Sequence, residues 1–236
     1  MNVFITGASK GIGKELALFF AANGARNLFL LSRDQKKLNQ TKSACEKYNK
    51  STKVVLLPFS LGEEATYQQI ATTVKKYCVH IDILINNAGY LVNKKYADIT
   101  RKDMEDCYNV NVFGPYFLTQ SLLGIMGGKK RTHVVNIGSM GGFQGSSKFA
   151  GLSAYTSSKM ALVGVTECLA EELKTRNISV NCLAIGAVST EMQKEAFPGY
   201  KAPHTPKEMA AFIGDFSING SNFFNGKIIP VAVSTP

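Results

Sequence analysis

The sequence predicts an α/β protein in which a doubly wound, parallel sheet of seven strands carries helices on both faces. Short apolar runs alternate with amphipathic segments along the chain, as in repeated βαβ units. A glycine-rich turn joins the first apolar run to the first amphipathic segment. No linker, repeat or low-complexity tract interrupts residues 1–236, so a single domain is predicted.

The strands are predicted from seven apolar runs that are bounded by helical segments. Such runs are typical of parallel strands that are buried on both faces, joined by right-handed crossovers. The predicted strands are 2–6, 27–32, 53–58, 81–86, 132–138, 178–184 and 227–233.

The helices are predicted from amphipathic segments with recognisable ends. Gly24 is placed to stop the first helix. Thr100 with Asp103 is typical of an N-cap and an acidic first turn, and Thr205 before Pro206 predicts the start of the last helix. The predicted helices are 11–23, 34–49, 63–78, 100–126, 154–176 and 206–216.

The composition is that of an ordinary globular protein, with 45% hydrophobic and 19% charged residues. No run approaches the ~20 apolar residues of a membrane span, so no membrane association is expected. Met1-Asn2 leads directly into the first strand, so no signal peptide is expected. Five scattered cysteines without a Cys-x-x-Cys pair predict reduced thiols and a cytoplasmic location.

The formal charge of +10 would attract anionic partners. The charges are scattered, however, and the sequence contains no zinc-ligand spacing, RNA-binding aromatic signature or basic arm. Neither a nucleic-acid partner nor a metal site is therefore predicted. The densest cluster, Lys129-Lys-Arg131, is either a solvated turn or a docking point for an acidic partner or an anionic substrate.

The glycine-rich turn Thr6-Gly-Ala-Ser-Lys-Gly-Ile-Gly13 lies between the first strand and the first helix. Its glycines allow a sharp turn and a close approach of a ligand, and the helix then presents free N–H groups to a phosphate. At this position the pattern predicts a dinucleotide site. The cofactor-binding residues assigned here are Gly7, Ser9, Lys10, Gly11, Ile12 and Gly13.

Ser32-Arg33 at the end of the second strand indicates which dinucleotide binds. An acidic residue here would bind a ribose hydroxyl of NAD, whereas an arginine accommodates the 2′-phosphate of NADP. Arg33, with Lys10 as a second cation, favours NADP(H). Asp34 leaves NAD open if the strand extends one residue further.

Asn86-Asn-Ala-Gly89 ends the fourth strand. Buried amides are costly without partners, so Asn86 is expected to tie neighbouring strand ends together. Asn87, Ala88 and Gly89 are expected to line the cofactor wall. Beyond the fifth and sixth strands, the irregular stretches 139–153 and 191–205 are either surface loops or, as we expect, contacts for the substrate.

Tyr155 and Lys159 are four residues apart and share one face of a predicted helix. An ammonium beside a phenol favours the phenolate, so Lys159 is expected to lower the pKa of Tyr155. Tyr155 is thereby a candidate general acid or base.

Together, the glycine turn, Asn86-Asn-Ala-Gly89, Ser139 and Tyr155-x-x-x-Lys159 resemble the motif set of the short-chain dehydrogenase/reductase family. The resemblance covers essentially the whole chain in order. It implies a Rossmann-like single domain and a homodimer or homotetramer built on the long helices. Within the family, the glycine turn and Arg33 are most similar to NADPH-dependent reductases, including 3-oxoacyl-carrier-protein reductases.

The resemblance implies a role for each of four catalytic residues. Tyr155 would protonate the nascent alkoxide, while Lys159 would lower its pKa and hold the nicotinamide ribose. Ser139 would hydrogen-bond the substrate carbonyl, and Asn111 would bend its helix and hold a relay water. Further cofactor contacts implied by the family are Ser60, Leu61, Gly186, Val188 and Thr190, in addition to Tyr155 and Lys159.

The sequence departs from the family pattern in places. Ser60 stands where an aspartate usually binds adenine, and Ile185 replaces the usual proline before Gly186. The loop from Ser139 to Tyr155 is longer than is common and contains Phe143 and Phe149. None of these departures involves the catalytic residues. The serine at 60 changes the expected contact with adenine, whereas the other departures affect the substrate analogy.

The leading hypothesis is an NADPH-dependent reductase that converts a ketone or 3-oxoacyl carbonyl into a secondary alcohol. An acidic acyl carrier protein docking at Lys129-Lys-Arg131 could deliver the substrate, whereas the loop with its phenylalanines suits a free apolar ketone. An NAD-dependent alcohol, sterol or sugar dehydrogenase is the alternative enzyme, and cofactor preference discriminates the two. A non-catalytic dinucleotide sensor is a third hypothesis, although such a protein would be expected to lose Tyr155 or Lys159.

Overall fold

Seven parallel strands form one sheet in the computed structural model, which describes the backbone of residues 1–233 and their side chains except at 64 and 65. The strand order is β3-β2-β1-β4-β5-β6-β7, so the chain changes direction between β1 and β4. Ligands bind at such a switch point, outside the carboxyl ends of the strands. The strands are β1 (Asn2–Thr6), β2 (Asn27–Leu31), β3 (Lys53–Leu57), β4 (Ile83–Asn86), β5 (Thr132–Ser139), β6 (Ile178–Ile185) and β7 (Ile228–Val231).

Helices cover both faces of this sheet. They are α1 (Gly11–Ala22), α2 (Gln35–Tyr48), α3 (Glu64–Lys75), α4 (Arg101–Tyr108), α5 (Gly114–Leu122), α6 (Ser153–Leu173), α7 (Glu191–Ala196) and α8 (Pro206–Asn219). The predicted Rossmann-like, doubly wound sheet of seven strands is confirmed. No helix within the described part of the chain has the length and apolar character needed to cross a membrane.

Two cores explain why the strands are apolar at nearly every position. In β1, Val3 and Ile5 face the core that is covered by α1 and α8, and Phe4 faces the core that is covered by α3 and α6. Successive side chains of a strand point to opposite faces, so a strand with helices on both sides needs no polar alternation.

Local signals placed several helix ends correctly. Thr100 and Asp103 form a capping box at the start of α4, and Thr205 forms another with Glu208 at the start of α8. Gly24 follows α1 with φ of +73°, a conformation that glycine adopts at low cost.

The prediction of a single continuous helix over 100–126 is wrong in the middle of this range. A π-helical turn over Asn109–Phe113 separates α4 from α5. A second difference is α7, which lies within the stretch 191–205 that was predicted to be irregular. Its six residues are too few to show a hydrophobic period, although Thr190, whose hydroxyl accepts from Gln193 N at 3.2 Å, is a recognisable cap.

Candidate active site

Four predicted catalytic residues are placed around the carboxyl ends of β4 and β5. Ser139 ends β5, Tyr155 and Lys159 lie in the first turns of α6, and Asn111 lies in the π-helical turn. Gly89 shows how closely two of them meet. A Cβ atom added there would lie 3.7 Å from Asn111 Oδ1 and 3.9 Å from Lys159 Nζ.

Asn111 is fully buried and fastens the loop after β4 to α6. Its Oδ1 accepts from Tyr90 N, and its Nδ2 donates to Tyr90 O and to Ser158 Oγ, each at 2.9 Å. The π-helical turn brings this amide inward, which agrees with the predicted bend. Both amide hydrogens are used by the protein, so a relay water would have to be held by an oxygen of Asn111.

Lys159 is a buried ammonium with spare donors. Its side chain is 3% exposed, and Nζ donates to Ile137 O at 2.8 Å. An ammonium has three N–H donors, and no second acceptor is found for it among residues 1–233. Burial lowers the pKa of Lys159 to about 8, so the group is mostly charged at neutral pH.

Tyr155 departs from the expectation based on Lys159. Burial raises the pKa of the phenol, and the neighbouring Ser139 side chain offsets this only in part. The Lys159 ammonium lies 5.9 Å from the centre of the phenol ring. The pKa of Tyr155 therefore lies above that of a free phenol, whereas the sequence led us to expect a lower one, and burial is the largest cause. The phenol is instead kept protonated at neutral pH.

Ser139 is held at the end of β5 by a tight turn. Its Oγ accepts from Gly141 N at 3.2 Å, which leaves the hydroxyl hydrogen for another acceptor. The turn packs directly on α6, where a Cβ atom added to Gly142 would lie 2.7 Å from Lys159 Cβ. The glycine at 142 thus allows Ser139 and Lys159 to lie side by side.

The glycine turn packs tightly against the end of β4. Gly7 and Gly11 have φ of +67° and +54°, and a Cβ atom on Gly13 would lie only 2.2 Å from Gly7 O. Asn87 Nδ2 donates to Thr6 O, and Ala88 N donates to Thr6 Oγ1, each at 2.9 Å. Asn87 and Ala88 thus join the ends of β1 and β4. Asn86 joins β4 to β5 in the same way, through Asn136 Oδ1 at 2.8 Å.

The start of α1 suits a phosphate. Lys10 precedes this helix, and no side chain caps its first N–H groups. Free N–H groups and the positive end of the helix dipole favour an anion. A dinucleotide therefore fits the residues present here.

The end of β2 suits an additional phosphate. Ser32 Oγ lies 2.8 Å from Ser9 Oγ and so joins β2 to the glycine turn. Arg33 is exposed beside this pair. Asp34 Oδ1 accepts from Lys37 N at 2.9 Å and caps α2. Because the carboxylate of Asp34 is used to cap α2, it is less available to bind a ribose hydroxyl. This supports the interpretation that Arg33, rather than Asp34, is the residue that faces the ribose.

Two charged residues near this point were missed in the sequence. Lys37 and Glu191 form a cluster with Lys10, in which Glu191 Oε2 lies 2.7 Å from Lys10 Nζ and 3.7 Å from Lys37 Nζ. Lys37 could have been found from the sequence, because it lies three residues after Asp34, the residue that caps its helix. Glu191 could not, because only the fold brings it close to Lys10 and Lys37.

The other predicted cofactor contacts differ in how much of each residue is available to a ligand. Thr190 lies against Gly11, with its Cγ2 3.4 Å from an added Cβ atom, while Gly186 N donates to Val231 O at 2.9 Å. Ile12 and Val188 are core side chains, so only their backbone groups can face a ligand. Ser60 and Leu61 follow β3 and are partly buried.

The basic cluster Lys129-Lys-Arg131 does not lie at this site. It precedes β5, whereas Ser139 is the last residue of that strand. Eight strand residues span roughly 26 Å, so the cluster lies at the opposite edge of the sheet. This position favours the other interpretation of the cluster, a solvated turn, over a docking point for a carrier that serves the pocket of the same chain.

Known proteins share this fold and sequence pattern. The chain matches the short chain dehydrogenase family over residues 1–201. It is 34% identical over 205 residues to the zebrafish (Danio rerio) dehydrogenase/reductase SDR family member 7B, covering 84% of this chain but only 64% of that protein. It is 29% identical over 239 residues to the 3-oxoacyl-[acyl-carrier-protein] reductase FabG of Thermotoga maritima, covering 96% of this chain and 94% of that protein.

A solved structure extends the comparison to three dimensions. A protein from Shigella flexneri, crystallised with NADP, superposes with a TM-score of 0.87 at 28% identity, covering 97% of this chain and 95% of that one.

Proposed function

The chain belongs to the short chain dehydrogenase family, and on that basis we propose that it is an oxidoreductase that uses NADP(H) to reduce a ketone to a secondary alcohol. The observation that carries this proposal is the arrangement of Lys159, Tyr155 and Ser139. A buried ammonium with unused donors, a protonated phenol and the hydroxyl of Ser139 beside that phenol lie together at the end of β5. The glycine turn follows β1, which is separated from β5 in the sheet by β4 alone.

In the proposed reaction, Tyr155 acts as the general acid. When bound, NADPH supplies the hydride that forms the new C–H bond. Tyr155 gives its proton to the carbonyl oxygen, so the ketone gains a hydride at carbon and a proton at oxygen. The raised pKa keeps the phenol protonated at neutral pH but makes it a weaker acid, so the proton transfer depends on the charge that Lys159 provides for the phenolate.

Ser139 and Lys159 stabilise the charges that form during this transfer. The Ser139 hydroxyl donates to the carbonyl oxygen while negative charge develops there. The Lys159 ammonium then stabilises the phenolate left on Tyr155, which regains a proton from solvent. Asn111 positions the loop after β4 through its bonds to Tyr90.

The proposed preference for NADPH depends on cations. Arg33 and Lys10 were expected to face the 2′-phosphate, and Lys37 adds a third positive group. The NADP bound to the Shigella protein supports this choice. The five cysteines are free, which supports a reducing compartment, and we place the protein in the cytoplasm.

For the substrate, we propose a 3-oxoacyl thioester or a related apolar ketone. The name of the Thermotoga relative supports an acyl chain. Phe149 is exposed in the stretch between Ser139 and Tyr155, and we propose that it contacts such a chain. An acidic carrier would have to approach other cations, such as Lys95 and Lys148 in the loops of the carboxyl edge.

A homodimer or homotetramer is proposed to form through α5 and α6. Phe113, Tyr116 and Phe117 are 39–44% exposed and pack together, with Tyr116 and Phe117 ring centres 5.2 Å apart. Met160 of α6 is also exposed. Apolar patches of this kind mark protein interfaces. Light scattering on wild type and Phe117→Lys tests this, since the charged variant should have a lower mass.

The function is tested by following oxidation of NADPH and of NADH with acetoacetyl thioesters, α-diketones and aromatic ketones. We expect turnover with NADPH and a decrease in kcat by a factor of about 10²–10⁴ in Tyr155→Phe. NADPH binding should be nearly unchanged in this variant. The control is Tyr96→Phe, because Tyr96 is 86% exposed.

Equal rates for Tyr155→Phe and wild type would contradict the acid role. A preference for NADH would favour the alcohol dehydrogenase alternative. Cofactor binding without turnover of any ketone, or of the corresponding alcohols, would favour the sensor.

A further inference from the structure

Glu191 connects three parts of the molecule through one carboxylate. Its Oε2 contacts Lys10 of the glycine turn at 2.7 Å and Lys37 of α2 at 3.7 Å, and Glu191 itself begins α7. The hydrogen bond and charge of Lys10 lower the pKa of Glu191, so the carboxylate is ionised at neutral pH.

The two lysines belong to the same surface as the proposed 2′-phosphate site. Lys10 adjoins Ser9, whose hydroxyl contacts Ser32 at 2.8 Å, and Arg33 follows Ser32. Glu191 therefore places a negative charge beside Lys10 and Lys37, the positive side chains that are expected to bind the 2′-phosphate of the cofactor.

The helix α7 extends from this point towards the catalytic residues. Thr190 contacts Gly11, and Met192 Cε would lie 3.9 Å from a Cβ atom on Gly89. The bridge made by Glu191 thus fixes the start of α7 over the glycine turn.

We propose that Glu191 competes with the 2′-phosphate for Lys10 and Lys37, and so limits the preference of this protein for NADP(H) over NAD(H). The inference rests on the proposed use of NADP(H). A phosphate and a carboxylate repel each other when they share the same two cations, so the phosphate must displace Glu191. NAD(H) lacks that phosphate and leaves the bridge intact.

The competition is modest because the ion pair is open to water. The side chains of Lys10 and Glu191 are 43% and 55% exposed, and exposed pairs are weak because water and salt screen them. Removing the carboxylate should therefore tighten NADPH binding by about three- to fivefold rather than by orders of magnitude.

The test is Glu191→Gln, with Glu195→Gln as the matched control. Glu195 lies on the same helix, is exposed, and has no ion pair within the described residues. Both variants remove one negative charge, so the control measures the general effect of net charge. Dissociation constants for NADPH and NADH are measured by calorimetry at low and high salt.

We expect Glu191→Gln to bind NADPH about three- to fivefold more tightly than Glu195→Gln does, with NADH affinity the same in both. The difference should shrink at high salt. Equal NADPH affinities in the two variants, or weaker binding by Glu191→Gln, would overturn the competition. Weaker binding would instead make Glu191 a support that holds Lys10 in place.

The wild-type protein separates this inference from the proposed function. If wild type prefers NADPH and Glu191→Gln does not increase that preference, the competition alone fails. If neither protein prefers NADPH, the assignment of NADP(H) fails, and the competition fails too unless Glu191→Gln binds NADPH more tightly than Glu195→Gln. If a preference arises only in Glu191→Gln, the competition is supported and the wild-type assignment is not.

Discussion

Two buried basic side chains lie at opposite ends of β5, and only one of them has hydrogen-bond donors left for a ligand. His133 near the start of the strand is 2% exposed, and Lys159, which contacts the end of the strand, is 3% exposed. Burial lowers both pKa values, that of His133 to about 4 and that of Lys159 to about 8. Burial and the direction of a pKa shift therefore do not distinguish the two sites.

The hydrogen bonds do distinguish them. His133 uses both ring nitrogens, Nδ1 with Ser217 O at 2.9 Å and Nε2 with Asn181 Nδ2 at 3.0 Å. A neutral imidazole has one donor and one acceptor, so this ring is satisfied. Lys159 uses one of its three donors on Ile137 O. The unused donors, together with a retained charge, mark the end of β5 where chemistry is expected.

A cavity illustrates the same difference. A space of about 450 Å³ opens beside His133 at the amino edge of the sheet. Arg131 lines it, but its guanidinium already donates to Ser221 O at 2.8 Å and to Asn177 Oδ1 at 3.3 Å. This cavity lies at the edge of the sheet opposite Ser139 and Lys159, and no ligand is assigned to it.

The largest expected effect is on turnover in Lys159→Met. The substitution removes the charge that stabilises the Tyr155 phenolate, so kcat for ketone reduction should decrease by about a thousandfold. Because the variant also removes a buried charge, its melting temperature should not fall below that of wild type. A steady-state assay and thermal unfolding measure both quantities. Turnover within tenfold of wild type would remove the distinction between the two ends of β5.

The next effect is on stability in His133→Leu. The substitution leaves Ser217 O and Asn181 Nδ2 without their imidazole partner, and each such loss costs ~1–3 kcal/mol. The free energy of unfolding should therefore decrease by about 3 kcal/mol, as measured by urea denaturation. The kcat of the folded variant should stay within about twofold of wild type, since the imidazole lies at the edge opposite the proposed chemistry. A large loss of turnover would show that His133 has more than a structural role.

The smallest effect is the dependence of stability on pH. Burial, opposed by the hydrogen bond to Ser217, moves the pKa of His133 from 6.5 to about 4. The unfolded chain therefore binds more protons between these pH values, and acid favours unfolding. The contribution of His133 is complete above about pH 6.5 and is lost as the pH falls towards about 4.

This contribution is measured as a difference between two proteins. Between pH 7 and pH 5, wild type should lose about 2 kcal/mol more than His133→Leu. Parallel stability profiles would mean that the folded and unfolded imidazoles titrate alike. The subtraction matters because carboxylates also titrate towards the acid end of this range.

Much of the fold followed from local signals that a single sequence contains. The apolar runs located all seven strands, and Thr100, Thr205 and Gly24 marked helix ends correctly. These signals are strong because a strand with helices on both faces must be apolar, and a helix end must satisfy its own N–H groups. The helical pattern of 100–126 gave no sign of its interruption, because Asn111 stabilises the turn by contacting Tyr90; only the family resemblance implied a bend at Asn111.

The sequence by itself determined the order of the elements, the glycine turn and the positions of Ser139, Tyr155 and Lys159. Only the tertiary structure decided that burial raises the pKa of Tyr155, and that the basic cluster lies at the edge away from Ser139. It also decided that Glu191 meets Lys10, 181 positions away in the chain. The physical reason is range. Turns, caps and periodicity arise between residues close in sequence, whereas desolvation and ion pairs depend on which distant segments the fold packs together.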